Sequence, residues 1–164
     1  MVDDQAPLGP SLRRAWLGYQ RRLDEAMAAA GFDDRAFPNG RVLRLCAGSD
    51  DVTISEIGRQ LGVSRQRSAQ IVTVLLERGY VTVRPSSLSA REKVVRPTKR
   101  ALAYLDAHRT AARRIERDLV RQVGPDSLAA LRRLTDVLAG EEDLRMRDYL
   151  REKRQSGGLR YPEE

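Results

Sequence analysis

The stretch TISEIGRQLGVSRQRSAQIV, residues 53–72, constrains the fold more than any other part of the chain. It holds two short helical patterns that meet at Gly62-Val63. Thr53 and Glu56 form a T-x-x-E capping box, which predicts a helix start with two orphan backbone donors satisfied reciprocally. Ile54, Ile57 and Leu61 recur as the buried stripe of that first helix. Gly62 supplies the backbone freedom for a sharp turn, and Ser64 is placed to cap a second helix running to about Arg78. In the second helix Ser68, Ile71, Val72 and Leu75 share one face. Its opening residues Ser64, Arg65, Gln66 and Arg67, followed by Gln70 and Thr73, are polar or basic and leave that face for solvent or a ligand.

Gly79 is suited to end the second helix in a left-handed conformation. From Tyr80 the period changes from helical to alternating. YVTVR and REKVVR read as two strands and PSSLSA between them as turn chemistry, which predicts a basic β-hairpin closed by Pro97-Thr98. The order helix, tight turn, helix, basic hairpin is that of a winged helix-turn-helix.

The flanks are helical. From Ser11, which can act as a cap, Leu12, Trp16, Tyr19, Leu23, Ala26 and Ala30 recur at steps of four and three, up to a stop at Gly31. Val42, Leu43, Leu45 and Cys46 mark a short second helix. Thr98 caps a long helix with Leu105, His108, Ala112, Ile115, Leu119 and Gln122 in the same rhythm. Gly124-Pro125 breaks it, Leu128, Leu131, Leu134 and Leu138 mark another, and the charged stretch after Gly140 can extend it. The fold class is therefore mainly α with a small β-hairpin wing. Residues 1–10 read as a loose arm, 11–34 and 98–150 as a helical region, 35–97 as the winged lobe and 151–164 as a disordered tail. The seams from Leu12 to Ala30 and from Leu105 to Leu119 are apolar at near-heptad spacing, and a lobe this small offers them no obvious partner. Two-fold pairing of two chains would bury both, making 11–34 and 98–150 a dimerisation domain, with packing inside one chain as the alternative.

Charge is distributed unevenly. Between Arg59 and Arg100 ten basic residues accompany two acidic ones, so this stretch carries +8 and the remainder −1 of the formal +7. A positive excess confined to one stretch is the footprint of a surface for polyanions. The 32% charged content suits a helical protein with wide solvated faces. No apolar run approaches the ~20 residues of a membrane span. The opening MVDDQAPLGP has neither a basic nor an apolar leader region and Cys46 is the only cysteine, which together point to the cytoplasm. A phosphate-cradling glycine loop, metal-ligand spacing and a nucleophile motif are all missing, so neither an enzyme nor a cofactor is expected.

A helix whose N-terminal side chains are free fits the major groove of duplex DNA. Arginine pairs bidentately with guanine and glutamine with adenine, each worth ~1–3 kcal/mol of discrimination. Arg84 and Lys93 on the hairpin suit phosphates. The competing reading is a winged-helix module that docks an acidic partner or RNA. A docking surface would expose aromatic or aliphatic anchors at the helix start.

GRVLRLC, TISEIGRQLGVSRQRSAQIVTVLLERGYVTVRP and REKVVRPTKRALAYL, in that order, resemble the MarR family of bacterial transcriptional regulators. The resemblance covers roughly residues 11–140. It implies a homodimer of triangular outline with interlocked terminal helices and two winged lobes on a pseudo-palindromic operator, and repression released by an effector. By position it implies that Arg91 enters the minor groove and that Gly79 is the glycine after the recognition helix. Two residues depart from the family pattern. Ser89 stands where an aspartate usually braces the wing arginine, a role left to Glu92, and Ser68 stands where an aliphatic side chain usually packs, which predicts looser packing there.

Small aromatic effectors of that family bind between helices like these and the DNA lobe. Trp16, Tyr19, Tyr104 and His108 are the candidates to line such a pocket, with core or dimer packing as the plainer reading. Cys46, set among Val42, Leu43 and Leu45, reads as a small buried side chain. The alternative is a redox sensor, although the peroxide-sensing members of the family carry their cysteine near the first helix, where this chain has none.

Overall fold

The computed structural model describes residues 7–32, 40–49, 52–86 and 92–140 of the 164. The first six residues of the arm, Ser89 and Arg91 on the hairpin tip, the charged stretch after Gly140 and the tail lie outside them. The described elements run α1 (Leu8–Ala29), α2 (Gly40–Ala47), α3 (Ile54–Leu61), α4 (Arg65–Glu77), β1 (Val81–Pro85), β2 (Lys93–Pro97), α5 (Lys99–Val123) and α6 (Pro125–Ala139). This is a mainly helical winged helix. The chain divides into two units, Met1–Glu116 and Arg117–Glu164.

In the first unit α2, α3, α4 and the hairpin enclose one apolar core. Val42, Leu43, Ile57, Leu75, Tyr80 and Val95 are fully buried in it, and Ile54, Leu61, Tyr104 and Leu105 pack against it. The caps around the α3–α4 turn form, although only the Thr53 half of the expected capping box does, because the Glu56 side chain bonds forward along α3. Thr53 Oγ1 accepts from the Glu56 backbone N–H at 3.1 Å, and Gly62 adopts φ +60°, a conformation that costs other residues about 1–2 kcal/mol. The Glu56 carboxylate accepts from Gln60 Nε2 at 2.8 Å and pairs with Arg59. Ser64 Oγ accepts from the Arg67 backbone N–H at 3.2 Å and so caps α4.

The hairpin is antiparallel, with Val81 opposite Pro97, Val83 opposite Val95 and Pro85 opposite Lys93. Its other edge is not bare. Thr53 bridges Val94, and the Val95 N–H donates to the Val52 carbonyl at 2.8 Å, so the α2–α3 connection adds a short third edge. Thr98 closes the hairpin's base. Its N–H donates to the Tyr80 carbonyl at 3.0 Å, its hydroxyl to the Gly79 carbonyl at 2.7 Å, and its Oγ1 accepts from the Ala101 N–H at 3.3 Å to cap α5.

Two local expectations are corrected. Helix α1 begins at Leu8, three residues before Ser11, with Pro7 as its N-cap. Pro10 then falls in the first turn, where backbone N–H groups have no helical partner and a missing one costs nothing. Ser68 does not loosen the α3–α4 crossing. It is fully buried, its hydroxyl donates to the Arg65 carbonyl at 2.9 Å, and it faces Gly58. A Cβ at Gly58 would lie 3.2 Å from Ser68 Oγ and 3.3 Å from the Val63 carbonyl oxygen. Two small residues let the helices approach closely where an aliphatic side chain would hold them apart.

In α1 only the C-terminal half of the apolar seam is covered. Leu23 and Met27 are buried, whereas Trp16 and Leu17 are exposed. In the second unit α6 starts at Pro125 behind Gly124, which has φ +81°, and none of its residues is buried.

Candidate nucleic-acid interface

Helix α4 sorts its residues by periodicity. Ser68, Ile71, Val72 and Leu75 are buried, and this fixes the opposite face outward. Ser64, Arg65, Gln66, Arg67, Gln70 and Thr73 are all exposed on it. Thr73 bonds inward, its hydroxyl donating to the Ala69 carbonyl at 3.0 Å. Arg67 Nη1 donates to Gln70 Oε1 at 3.3 Å.

The electrostatics of this helix start are unfavourable for stability alone. The first turn of α4 holds no acidic residue. Two arginines instead sit at the positive end of the helix dipole, where a carboxylate would be favoured by about 0.3–1 kcal/mol. Helix N-termini bind phosphate for the same reason.

On the hairpin Arg84 and Lys93 are exposed, in adjacent register pairs near the tip. The register also reveals a residue the sequence reading left out. Thr82 opposes Arg96 and Arg84 opposes Val94, so Arg84 and Arg96 lie diagonally on one face. Arg96 is exposed as well. Strand alternation applied across both strands together would have found it.

The four effector candidates fall into two pairs. Trp16 and Tyr19 stack on α1 with ring centroids 6.1 Å apart and planes 13° from parallel. Tyr104 meets His108 at 6.2 Å, and packs edge-on to Phe32 at 5.4 Å and to Tyr80 at 5.8 Å. Arg100 lies over the Tyr80 ring, 4.9 Å from its centroid. An open cleft of about 650 Å³ lies between α2 and α5, lined by Arg44, Ala47, Leu102, Leu105, His108 and Arg109 among others. His108 is the only one of the four candidates in its lining. Asp106, also in the lining, holds Arg109 at 2.6 Å.

Burial first, and the Arg44 guanidinium second, push the His108 pKa below the ordinary histidine value of 6.5. The unfolded chain thus takes up this proton more readily than the folded one. The stability due to His108 is complete above about pH 6.5 and is lost as pH falls through the folded value. The thermal midpoint is expected to drop as pH falls below about 6.5, and His108→Gln to flatten that drop. Equal slopes for both proteins in a calorimetric pH series would refute this. Burial also pushes the Cys46 thiol up to about 11. Among the described residues no three His, Cys, Asp or Glu side chains form a metal-binding group, and no helix is long and apolar enough to cross a membrane.

The sequence model of the MarR family matches residues 35–92, the segment that carries α2, α3, the turn, α4 and the first strand of the hairpin. Over residues 35–92 the chain is thus similar to the MarR family. No curated protein matches the chain by sequence. Among solved structures the chain resembles the transcriptional repressor CouR bound to a 23-mer DNA duplex, at 24% identity and TM-score 0.61 over 82% of this chain and 93% of that one. It also resembles a Staphylococcus aureus MepR variant bound to an oligodeoxyribonucleotide, at 14% and 0.60 over 82% and 98%. Apo MarR from Escherichia coli is similar at 19% and 0.58 over 84% and 100%. At these identities the likeness speaks to fold alone.

Proposed function

We propose that the chain is a MarR-type transcriptional repressor, acting in the cytoplasm as a homodimer that binds a pseudo-palindromic operator. The observation that carries this is the start of α4. Ser64, Arg65, Gln66 and Arg67 are exposed and capped at a helix N-terminus that lacks any acidic residue. Such a helix start places hydrogen-bonding side chains at base edges of the major groove, with Arg84 and Lys93 available to phosphates. The DNA bound to the CouR and MepR relatives supports the same partner. Arg91 is assigned to the minor groove on family resemblance.

Dimerisation is supported by the unpartnered apolar surface. Leu131, Leu134 and Leu138 recur at helical spacing on α6 and are all exposed, as are Leu8, Trp16 and Leu17 on α1. Patches of this kind mark interaction surfaces. Trp16 and Tyr19 are accordingly assigned to the dimer contact, and the α2–α5 cleft with His108 to a small effector. An effector that prefers a dimer with its lobes out of register with successive grooves lowers operator affinity.

Two other readings are less well supported. A docking module would show aromatic or aliphatic anchors at the start of α4, which has none. A redox sensor through Cys46 needs a thiolate, and a buried thiol with its pKa raised to about 11 supplies very little near neutrality. Selection of bound sites from random duplex tests the proposal. It is expected to yield two half-sites about 10 bp apart and a protein that sediments as a dimer. A monomer that enriches no sequence would overturn it.

A further inference from the structure

The two arginines that open α4 differ in their surroundings. Arg67 Nη1 donates to Gln70 Oε1, one turn along the same exposed face. Arg65 has no side-chain partner among the described residues. The Arg67 backbone is fixed as well, since its N–H donates to Ser64 Oγ.

A free guanidinium on a long arm loses rotamer freedom when it docks on a base, and a bond made beforehand removes part of that loss. The donor count permits it. A guanidinium carries five N–H groups, so giving one to Gln70 leaves a pair for guanine O6 and N7. Gln70 is in the opposite position. Bidentate reading of adenine requires its oxygen to accept from N6 while its amide donates to N7. In this structure the oxygen is turned to Arg67.

We propose that Gln70 is a positioning residue, holding the Arg67 guanidinium for a guanine in the major groove and not reading an adenine of its own. This rests on the DNA-binding function proposed above.

The test uses the full chain and a duplex selected from random sequence, with every base pair then substituted in turn. Dissociation constants are measured for wild type, Arg67→Ala, Gln70→Ala, Gln70→Glu and the double alanine variant. Both side chains are exposed, and unchanged thermal unfolding of each variant verifies an intact fold. Arg67→Ala is expected to flatten the preference at one G·C pair. Gln70→Ala is expected to reduce the preference at that same pair roughly three- to tenfold, the scale of ordering one long side chain. The double variant should be no worse there than Arg67→Ala alone. Gln70→Glu keeps an acceptor for Arg67 but lacks the amide donor. It should retain the guanine preference while binding all DNA more weakly because of its charge.

An A·T pair, distinct from the Arg67 pair, flattened by both Gln70 variants would overturn the proposal by making Gln70 an independent reader. Preferences unmoved by Gln70→Ala, or by Arg67→Ala, would overturn it as well. Failure of the DNA-binding function itself looks different, because the wild-type protein then selects no site before any variant is compared.

Discussion

Replacing Tyr80 with alanine is expected to destabilise the first unit by ~3–5 kcal/mol, the scale of emptying a buried aromatic site. Tyr80 is fully buried. Its ring packs edge-on to Tyr104 and lies under the Arg100 guanidinium. Its backbone N–H donates to the Leu75 carbonyl at 2.8 Å, sealing the end of α4, and its carbonyl accepts from Thr98. Single domains are stable by about 5–15 kcal/mol, so the loss is a large share of the whole. Tyr80→Phe keeps the ring and gives up the hydroxyl's 3.5 Å contact with Arg100, and should cost about 1 kcal/mol or less. Urea unfolding of the three proteins measures both values. An alanine variant within about 1 kcal/mol of wild type would mean that the cavity collapses without loss, contrary to a site enclosed by two helices and a hairpin.

Arg65→Ala is expected to weaken binding to a selected operator about 10- to 100-fold, equivalent to ~1–3 kcal/mol, while random duplex is affected far less. Lys93→Ala should weaken all sequences alike and lower the slope of log affinity against log salt by about one. The difference follows from placement. Arg65 is exposed in the first turn of α4, where a side chain reaches base edges. Lys93 opens β2 beside the hairpin tip, where a flexible ammonium meets the backbone as a point charge. Fluorescence anisotropy at two salt concentrations separates the two effects. If both variants lose equally on operator and random DNA, base reading and backbone attraction are not divided in this way.

Much of the lobe was legible because its signals are local. The cap at Thr53, the left-handed Gly62, the cap at Ser64 and the switch to strand alternation at Tyr80 each depend on residues within a few positions of one another. The exposure of Arg65, Gln66, Arg67 and Gln70 was legible by elimination, since Ile71, Val72 and Leu75 claim the other face. Contacts across the chain were not. The third edge through Val52 and Thr53, the Gly58–Ser68 approach and the grouping of Phe32, Tyr80 and Tyr104 join residues that no periodicity connects. The same reason explains the effector candidates. Trp16 and Tyr104 look alike as aromatic residues on helical seams, but one stacks on its own helix with Tyr19 while the other packs against the core. The start of α1 was misplaced because a proline reads as a boundary, although a first turn accommodates one.

The single hydroxyl of Thr98 has a mechanical consequence. It grips the carbonyl that follows α4 and the amide that opens α5, at the point where the hairpin's two ends meet. Three levers therefore share one pivot. Under the proposed DNA-binding role, a twist applied along α5 would be passed through this one hydroxyl to the recognition helix and to the basic hairpin together.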